Sequence, residues 1–120
     1  MTTPTRFGQF ISEKRTQNSM TKQELAARIG ISTAYLSQIE SGVRSNPKDE
    51  ILESLIACLH LSREETYTLY DLYAEITNNV ELDISSYLKQ KAIVKEAIRA
   101  AEKRDVSESI WREFIEKLNK

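Results

Sequence analysis

Residues 21–42 read TKQELAARIGISTAYLSQIESG. Two short segments with apolar residues at helical spacing stand on either side of Gly30, with almost no chain left to connect them. Thr21 and Glu24 have the spacing of a capping box, in which hydroxyl and carboxylate each satisfy a free amide at a helix start. The helix so opened, KQELAARI, is expected to bury Leu25, Ala26 and Ile29 and to stop at Gly30, since glycine readily takes the left-handed conformation that ends a helix. Ser32 caps the next helix, TAYLSQIES, in which Leu36 and Ile39 face inward and which Gly42 terminates. Ala26 is small enough for the two helices to approach closely, and Ile31 is placed to plug the angle between them. With Leu36 and Ile39 pinned, the opposite face shows Thr33, Ala34, Ser37, Gln38 and Ser41. A merely solvated face would carry more Lys and Glu. Short, uncharged, hydrogen-bonding side chains suit base edges in a major groove. The tight turn exists to present a helix.

The chain around this stretch reads as almost wholly helical. Thr3-Pro4 offers a cap followed by proline at the first helical position, opening a helix through RFGQFISEKRTQ with Phe7, Phe10 and Ile11 on its apolar face. Asn18-Ser19 closes it. Asn46-Pro47 repeats the cap-then-proline start, followed by Asp49 and Glu50 in the first turn, where the helix dipole favours them. That helix buries Ile51, Leu52, Leu55, Ile56 and Leu59. Ser62 and Glu65 form a second capping box, opening a fifth helix to about Thr77. The expected class is all-α: a five-helix domain over 1–77 and a helical C-terminal extension over 78–120.

Composition agrees. Among 120 residues there are only 3 Gly and 2 Pro, too little punctuation for a strand-rich fold. A single cysteine excludes a disulfide framework and a multi-thiolate metal site. No segment approaches the roughly 18 unbroken apolar residues of a membrane span. The start, MTTPTRFGQF, lacks the basic and apolar runs of a signal peptide, so a cytoplasmic protein without a membrane role is expected. The net charge of −1 hides an asymmetry. Residues 1–48 carry seven Lys and Arg against three Asp and Glu, residues 49–90 two against nine, and residues 91–120 eight against six. Phosphate neutralisation depends on the local balance, and the basic third contains the quoted stretch. The acidic middle is equally consistent with an ordinary solvated surface.

The pattern T-x-x-x-L-A-x-x-x-G-I-S-x-x-x-L-S-Q-I-E-x-G resembles the helix-turn-helix of the phage-repressor-like, or Xre, transcriptional regulators. The resemblance covers about residues 5–75 and is sharpest at 21–42, through Leu25-Ala26, Gly30, Ile31-Ser32, Leu36-Ser37, Ile39-Glu40 and Gly42. It implies five helices with the third in the major groove of double-stranded DNA. By position, Thr33, Ala34, Ser37 and Gln38 would face bases. Gln38 is suited to a bidentate bond with an adenine edge, and the Ala34 methyl to a thymine methyl. Thr21, Lys22, Gln23 and Ser32 at the two helix starts, and Arg44, Ser45 and Asn46 beyond the reading helix, would hold the phosphate backbone. Tyr35 would either touch that backbone or simply pack. The resemblance also implies an ion pair between Arg15 and Glu40 that fixes the angle of the reading helix, the alternative being two unrelated surface charges.

Catalysis fares badly in the same sequence. His60 and Cys58, the only histidine and cysteine, lie two positions apart and point about 200° away from each other on a helix. Cys58 reads as a small core residue and His60 as a favourable helix end. Glu64-Glu65 and Asp49-Glu50 belong to first helical turns. With no Gly-rich phosphate loop and no ligand cluster in the sequence, no enzyme activity, cofactor or metal is expected.

Beyond the fifth helix, on which Tyr67, Tyr70 and Tyr73 recur every three residues, NNVELD reads as a loop and ISSYLKQ as a short helix. An amphipathic helix, KAIVKEAIRAAEKR, follows, and after Asp105-Val106-Ser107 comes a last helix. There Trp111, Phe114, Ile115 and Leu118 make a full apolar stripe. A tail this short needs a surface to pack on: its own chain, a second copy, or another protein. Operators for such helices usually pair two half-sites, which favours a homodimer. Three readings follow: a repressor occupying a palindromic operator, an antitoxin-type regulator whose tail binds a toxin, and an adaptor that no longer reads DNA. The resemblance also permits a metallopeptidase partner.

Overall fold

The structure is a computed structural model that describes residues 5–43 and 47–120. Among these residues the chain forms eight α-helices and no strand. They are α1 (Arg6–Gln17), α2 (Lys22–Ile29), α3 (Thr33–Ser41), α4 (Asp49–Cys58), α5 (Arg63–Thr77), α6 (Leu82–Gln90), α7 (Ala92–Arg104) and α8 (Glu108–Leu118). By internal contacts the chain divides into two compact units between Asp83 and Ile84, within α6.

In the first unit, α1 to α5 converge on one apolar core. Phe7 and Ile11, Leu25 and Ala26, Leu36 and Ile39, Leu52 and Leu55, and Leu69 and Leu72 each come from successive helices, at the i, i+3 or i+4 spacing of a single face (or adjacent to it). α1 packs against α3 and α5, and α2 against α3 and α4. The expected core positions Phe10, Ile29, Ile31, Ile51 and Ile56 are half-buried around it. Of the three tyrosines of α5, Tyr67 is exposed, whereas the Tyr73 ring lies 5.6 Å from Phe7 and its hydroxyl donates to the Pro47 carbonyl at 2.7 Å. Burial pushes the Tyr73 phenol above its ordinary pKa.

Several helix ends differ from the sequence reading. The cap of α1 is Thr5, whose hydroxyl accepts the Gly8 amide at 2.9 Å; the expected Thr3-Pro4 start lies outside the described residues. α4 starts at Asp49 after Lys48, with no side-chain cap, and Pro47 precedes the helix instead of opening it. The physical reason is tertiary: Pro47 is buried and its carbonyl is taken by Tyr73. Asn46, the expected cap, lies outside the described residues. The Thr21–Glu24 box is half formed, because Glu24 accepts from the Thr21 hydroxyl at 3.2 Å instead of from the Thr21 amide. Ser62 and Glu65 form the complete box, at 2.9 and 3.1 Å.

The second unit is held by fewer buried groups. α7 ends at Asp105 in the left-handed conformation, and the Val106 amide returns to the Ala101 carbonyl at 3.2 Å. Val94, Ala101 and Val106 are half-buried, and Trp111 meets Phe114 edge-on at 6.4 Å. Ser107 sits at the cap of α8, but its hydroxyl pairs with that of Ser109 and does not cap the helix. The apolar stripe of α8 stands in the open: Trp111 is 40% and Leu118 67% exposed.

Candidate nucleic-acid interface

α2 and α3 meet through three residues, Gly30 to Ser32. Gly30 adopts φ 77°, ψ 31°, and the Ile31 amide reaches back to the Ala26 carbonyl at 3.0 Å, closing the helix end. No atom lies within 4 Å of where a Gly30 Cβ would stand, so glycine is needed there for its backbone angle and not for space. Ser32 then accepts the Tyr35 amide at 3.0 Å and starts α3.

Two devices on α1 fix the attitude of α3. Gly8 is the first: a Cβ on it would come within 2.5 Å of the Glu40 carbonyl oxygen and 2.7 Å of that of Ile39. The α1 backbone therefore lies directly against the last turn of α3. The second is Arg15, which donates from Nε to Glu40 Oε2 at 2.9 Å and from Nη2 to Oε1 at 3.1 Å. Nη1 meets the Met20 carbonyl at 2.9 Å, so each of the three guanidinium nitrogens is engaged. Glu40 is buried, and the pair implied by family resemblance is a bidentate, nearly dry one.

With one side so held, Ser32, Thr33 and Ala34 are exposed, and Tyr35, Ser37, Gln38 and Ser41 are half-buried along the rim. Thr21, Lys22 and Gln23 are exposed at the adjoining start of α2. The Thr21 hydroxyl accepts the Glu24 amide at 3.1 Å, leaving the Lys22 and Gln23 amides without an intrahelical acceptor. The Lys22 ammonium donates to Ser37 Oγ at 3.1 Å, joining the start of α2 to the middle of α3. Lys22, Ser37, Gln38 and Ser41, with Ser12 and Arg15 of α1, line one open depression. Of the residues expected at the interface, Arg44, Ser45 and Asn46 lie outside those described, Lys22, Ser37 and Gln38 line this depression, and Thr21, Gln23, Ser32, Thr33, Ala34 and Tyr35 stand exposed or half-buried at the starts of α2 and α3.

Four features escaped the sequence reading. Gly8 carried a signal, a glycine inside an otherwise good helix, where it costs about 1 kcal/mol against alanine unless packing requires it. Asn18 donates to both the Lys14 carbonyl (2.7 Å) and the Leu59 carbonyl (3.1 Å), tying the ends of α1 and α4. Lys14 pairs with Glu65 of α5, and Arg6 with Glu75 at 2.9 Å. The Lys14 ammonium and the Ser62 amide together hold the Glu65 carboxyl down at a pKa of about 2. Among the described residues no group of acidic, histidine or cysteine side chains could hold a metal ion, and no helix is long and apolar enough to cross a membrane.

A helix-turn-helix family profile matches residues 11–65. The HTH-type transcriptional regulator SinR of Bacillus subtilis (strain 168) is 32% identical over 109 residues, spanning 91% of this chain and 88% of that protein. SinR of Bacillus licheniformis is 29% identical over the same shares. In a solved SinR protein/SinI protein complex, one chain aligns over 94% of both lengths with 26% identity and a TM-score of 0.50. Sequence and fold are therefore similar over nearly the whole length, the region beyond α5 included. The chain belongs to the Xre/Cro-type helix-turn-helix family of transcriptional regulators, which are not enzymes, and is SinR-like in carrying a helical C-terminal region.

Proposed function

We propose that this protein represses transcription by occupying a palindromic operator, as a cytoplasmic homodimer with α3 in the major groove. The observation that carries the proposal is the uncharged face Thr33, Ala34, Ser37 and Gln38 on a helix locked by Gly8 and by the Arg15–Glu40 fork. Base reading demands a helix whose angle is fixed before contact, because a displaced side chain loses its hydrogen bond and leaves a base edge unpaired. In this reading Gln38 takes an adenine edge and Ala34 a thymine methyl, with Thr33 and Ser37 beside them. The amides of Lys22 and Gln23, the Lys22 ammonium and the start of α3 at Ser32 serve phosphates, with Tyr35 at the groove wall. Thr21 acts by starting the helix that presents those amides, since its own hydroxyl accepts the Glu24 amide and donates to the Glu24 carboxylate. Arg44, Ser45 and Asn46 complete the backbone grip.

A second reading is favoured by the C-terminal unit. Ile110, Trp111, Phe114, Ile115 and Leu118 of α8 are all at least 40% exposed, an apolar stripe that water tolerates poorly and that a protein partner would cover. In this reading the stripe takes a second copy of the chain or a regulatory protein, in the way that the similar SinR was solved as a complex with SinI. Selection of random duplex DNA by the purified chain, with light scattering for mass, tests both. A palindromic consensus bound by a dimer supports the repressor. A chain that selects no sequence overturns it, and the C-terminal stripe then becomes the functional surface.

A further inference from the structure

We infer that Lys22 is a positioning residue that sets the hydrogen-bond polarity of Ser37, so that Ser37 reads an acceptor on a base edge and turns cytosine away. The inference rests on the DNA-reading proposal above and adds a specificity rule to it. Lys22 Nζ and Ser37 Oγ lie 3.1 Å apart, from the start of α2 to the middle of α3. An ammonium has three donors and no acceptor, so the serine oxygen must accept in this bond. The serine's own proton is then directed away from Lys22.

Among the described residues that proton has no acceptor. Thr16, Thr68 and Thr77 each return their hydroxyl proton to the carbonyl four residues earlier, at 2.8, 3.1 and 3.0 Å, and Ser41 gives its proton to the Gln38 carbonyl at 3.2 Å. Ser37 donates to no acceptor among the described residues, and it stands on the same face as Ala34 and Ser41, half-open to the groove. A lone serine hydroxyl is ambiguous, able to give or to take. Accepting from a cation polarises the Ser37 hydroxyl towards donation and leaves it one weakened lone pair, so Ser37 acts chiefly as a donor. In the major groove guanine offers N7 and O6, adenine N7 and thymine O4, whereas cytosine offers only its N4 amino donor. Cytosine is therefore the base that Ser37 disfavours, because its amino group finds only the weakened lone pair of a hydroxyl that already accepts from a cation. The two remaining Lys22 donors stay available to a phosphate, so one side chain serves both affinity and sequence choice.

The test is selection of random duplex DNA, at one salt concentration, by the full chain and by Ser37→Ala, Lys22→Met and Lys22→Arg, with circular dichroism confirming that each variant is helical. The full chain should deplete cytosine about tenfold at one position of the site, in line with the usual cost of one mismatched base pair. Ser37→Ala should lose that depletion and no other preference. Lys22→Met, which keeps the length of the side chain without its donor, should lose the same depletion along with some affinity for every sequence. Lys22→Arg should retain the depletion, because its head group is also donor-only. Retained depletion with Lys22→Met, or loss with Lys22→Arg, would overturn the polarity rule while leaving DNA reading intact. A wild-type chain that selects nothing would instead remove the DNA-reading proposal, and this rule with it.

Discussion

Gly8→Ala provides a test in which two physical effects have opposite signs. In an ordinary helix interior the substitution stabilises by about 1 kcal/mol, since alanine has the higher helix propensity. Here the added methyl would stand 2.5 Å from the Glu40 carbonyl oxygen, 2.7 Å from that of Ile39 and 2.9 Å from the Glu40 carbonyl carbon, against at least 3.4 Å in ordinary contact. All three are backbone atoms, so no side chain can swing aside. α1 and α3 must separate by most of an ångström, loosening the seats of Phe7 and Ile39, both fully buried. Overpacking of this kind costs about 1–3 kcal/mol and, against rigid backbone, belongs at the upper end. After the helix-propensity gain, a net loss of about 2 kcal/mol is expected, or a urea midpoint lower by about 1 M for a typical slope. Far-UV circular dichroism is the assay of choice, because the single tryptophan, Trp111, lies in α8 and not in the unit being perturbed. Gln9→Ala, one residue along and exposed, serves as the control and should be nearly silent. If Gly8→Ala raised stability as a surface glycine would, the close approach of α1 to α3 would be refuted, along with the account of how α3 is fixed.

Three further outcomes are expected. Arg15→Ala should destabilise the first unit by about 3–5 kcal/mol, because it strands the nearly dry Glu40 carboxylate, while pairing Arg15→Met with Glu40→Leu should recover much of the loss in chemical denaturation. Gln38→Ala should weaken specific DNA binding by about 1–3 kcal/mol and relax preference at one base pair in a competition assay, whereas unchanged preference would remove Gln38 from the reading set. Glu65 titrates near 4.5 in ordinary surroundings and near 2 in the fold, so the folded state releases its proton more readily. Its contribution is then complete above about pH 5 and is lost as pH falls towards 2. Denaturation curves for wild type and Lys14→Met should accordingly draw together over that acid range; a constant gap would mean that the Lys14–Glu65 pair does not act in solution.

Signals that act within four residues along the chain were readable from the letters alone. Gly30 and Gly42 end their helices in the left-handed conformation, Ser32 and Ser62 cap the helices that follow, and Leu36 and Ile39 turn inward, as the local pattern dictates. The open face of α3 follows from the same periodicity, and so does the exposed apolar stripe of α8. Where the local reading failed, a distant partner had intervened: Pro47 is held outside α4 by Tyr73, 26 residues away. The Arg15–Glu40 fork was implied by family resemblance and spans 25 residues, Lys22–Ser37 spans 15 and Lys14–Glu65 spans 51. Helical periodicity says which face a residue occupies but not which residue of another helix it will meet. The sequence alone determined the helices, the ends set by local capping and the face of α3 that the core leaves open. Only packing decided that the α1 backbone would rest on α3 at Gly8, and that Lys22 of α2 would meet Ser37 of α3, because both depend on crossing geometry between helices that no local pattern encodes.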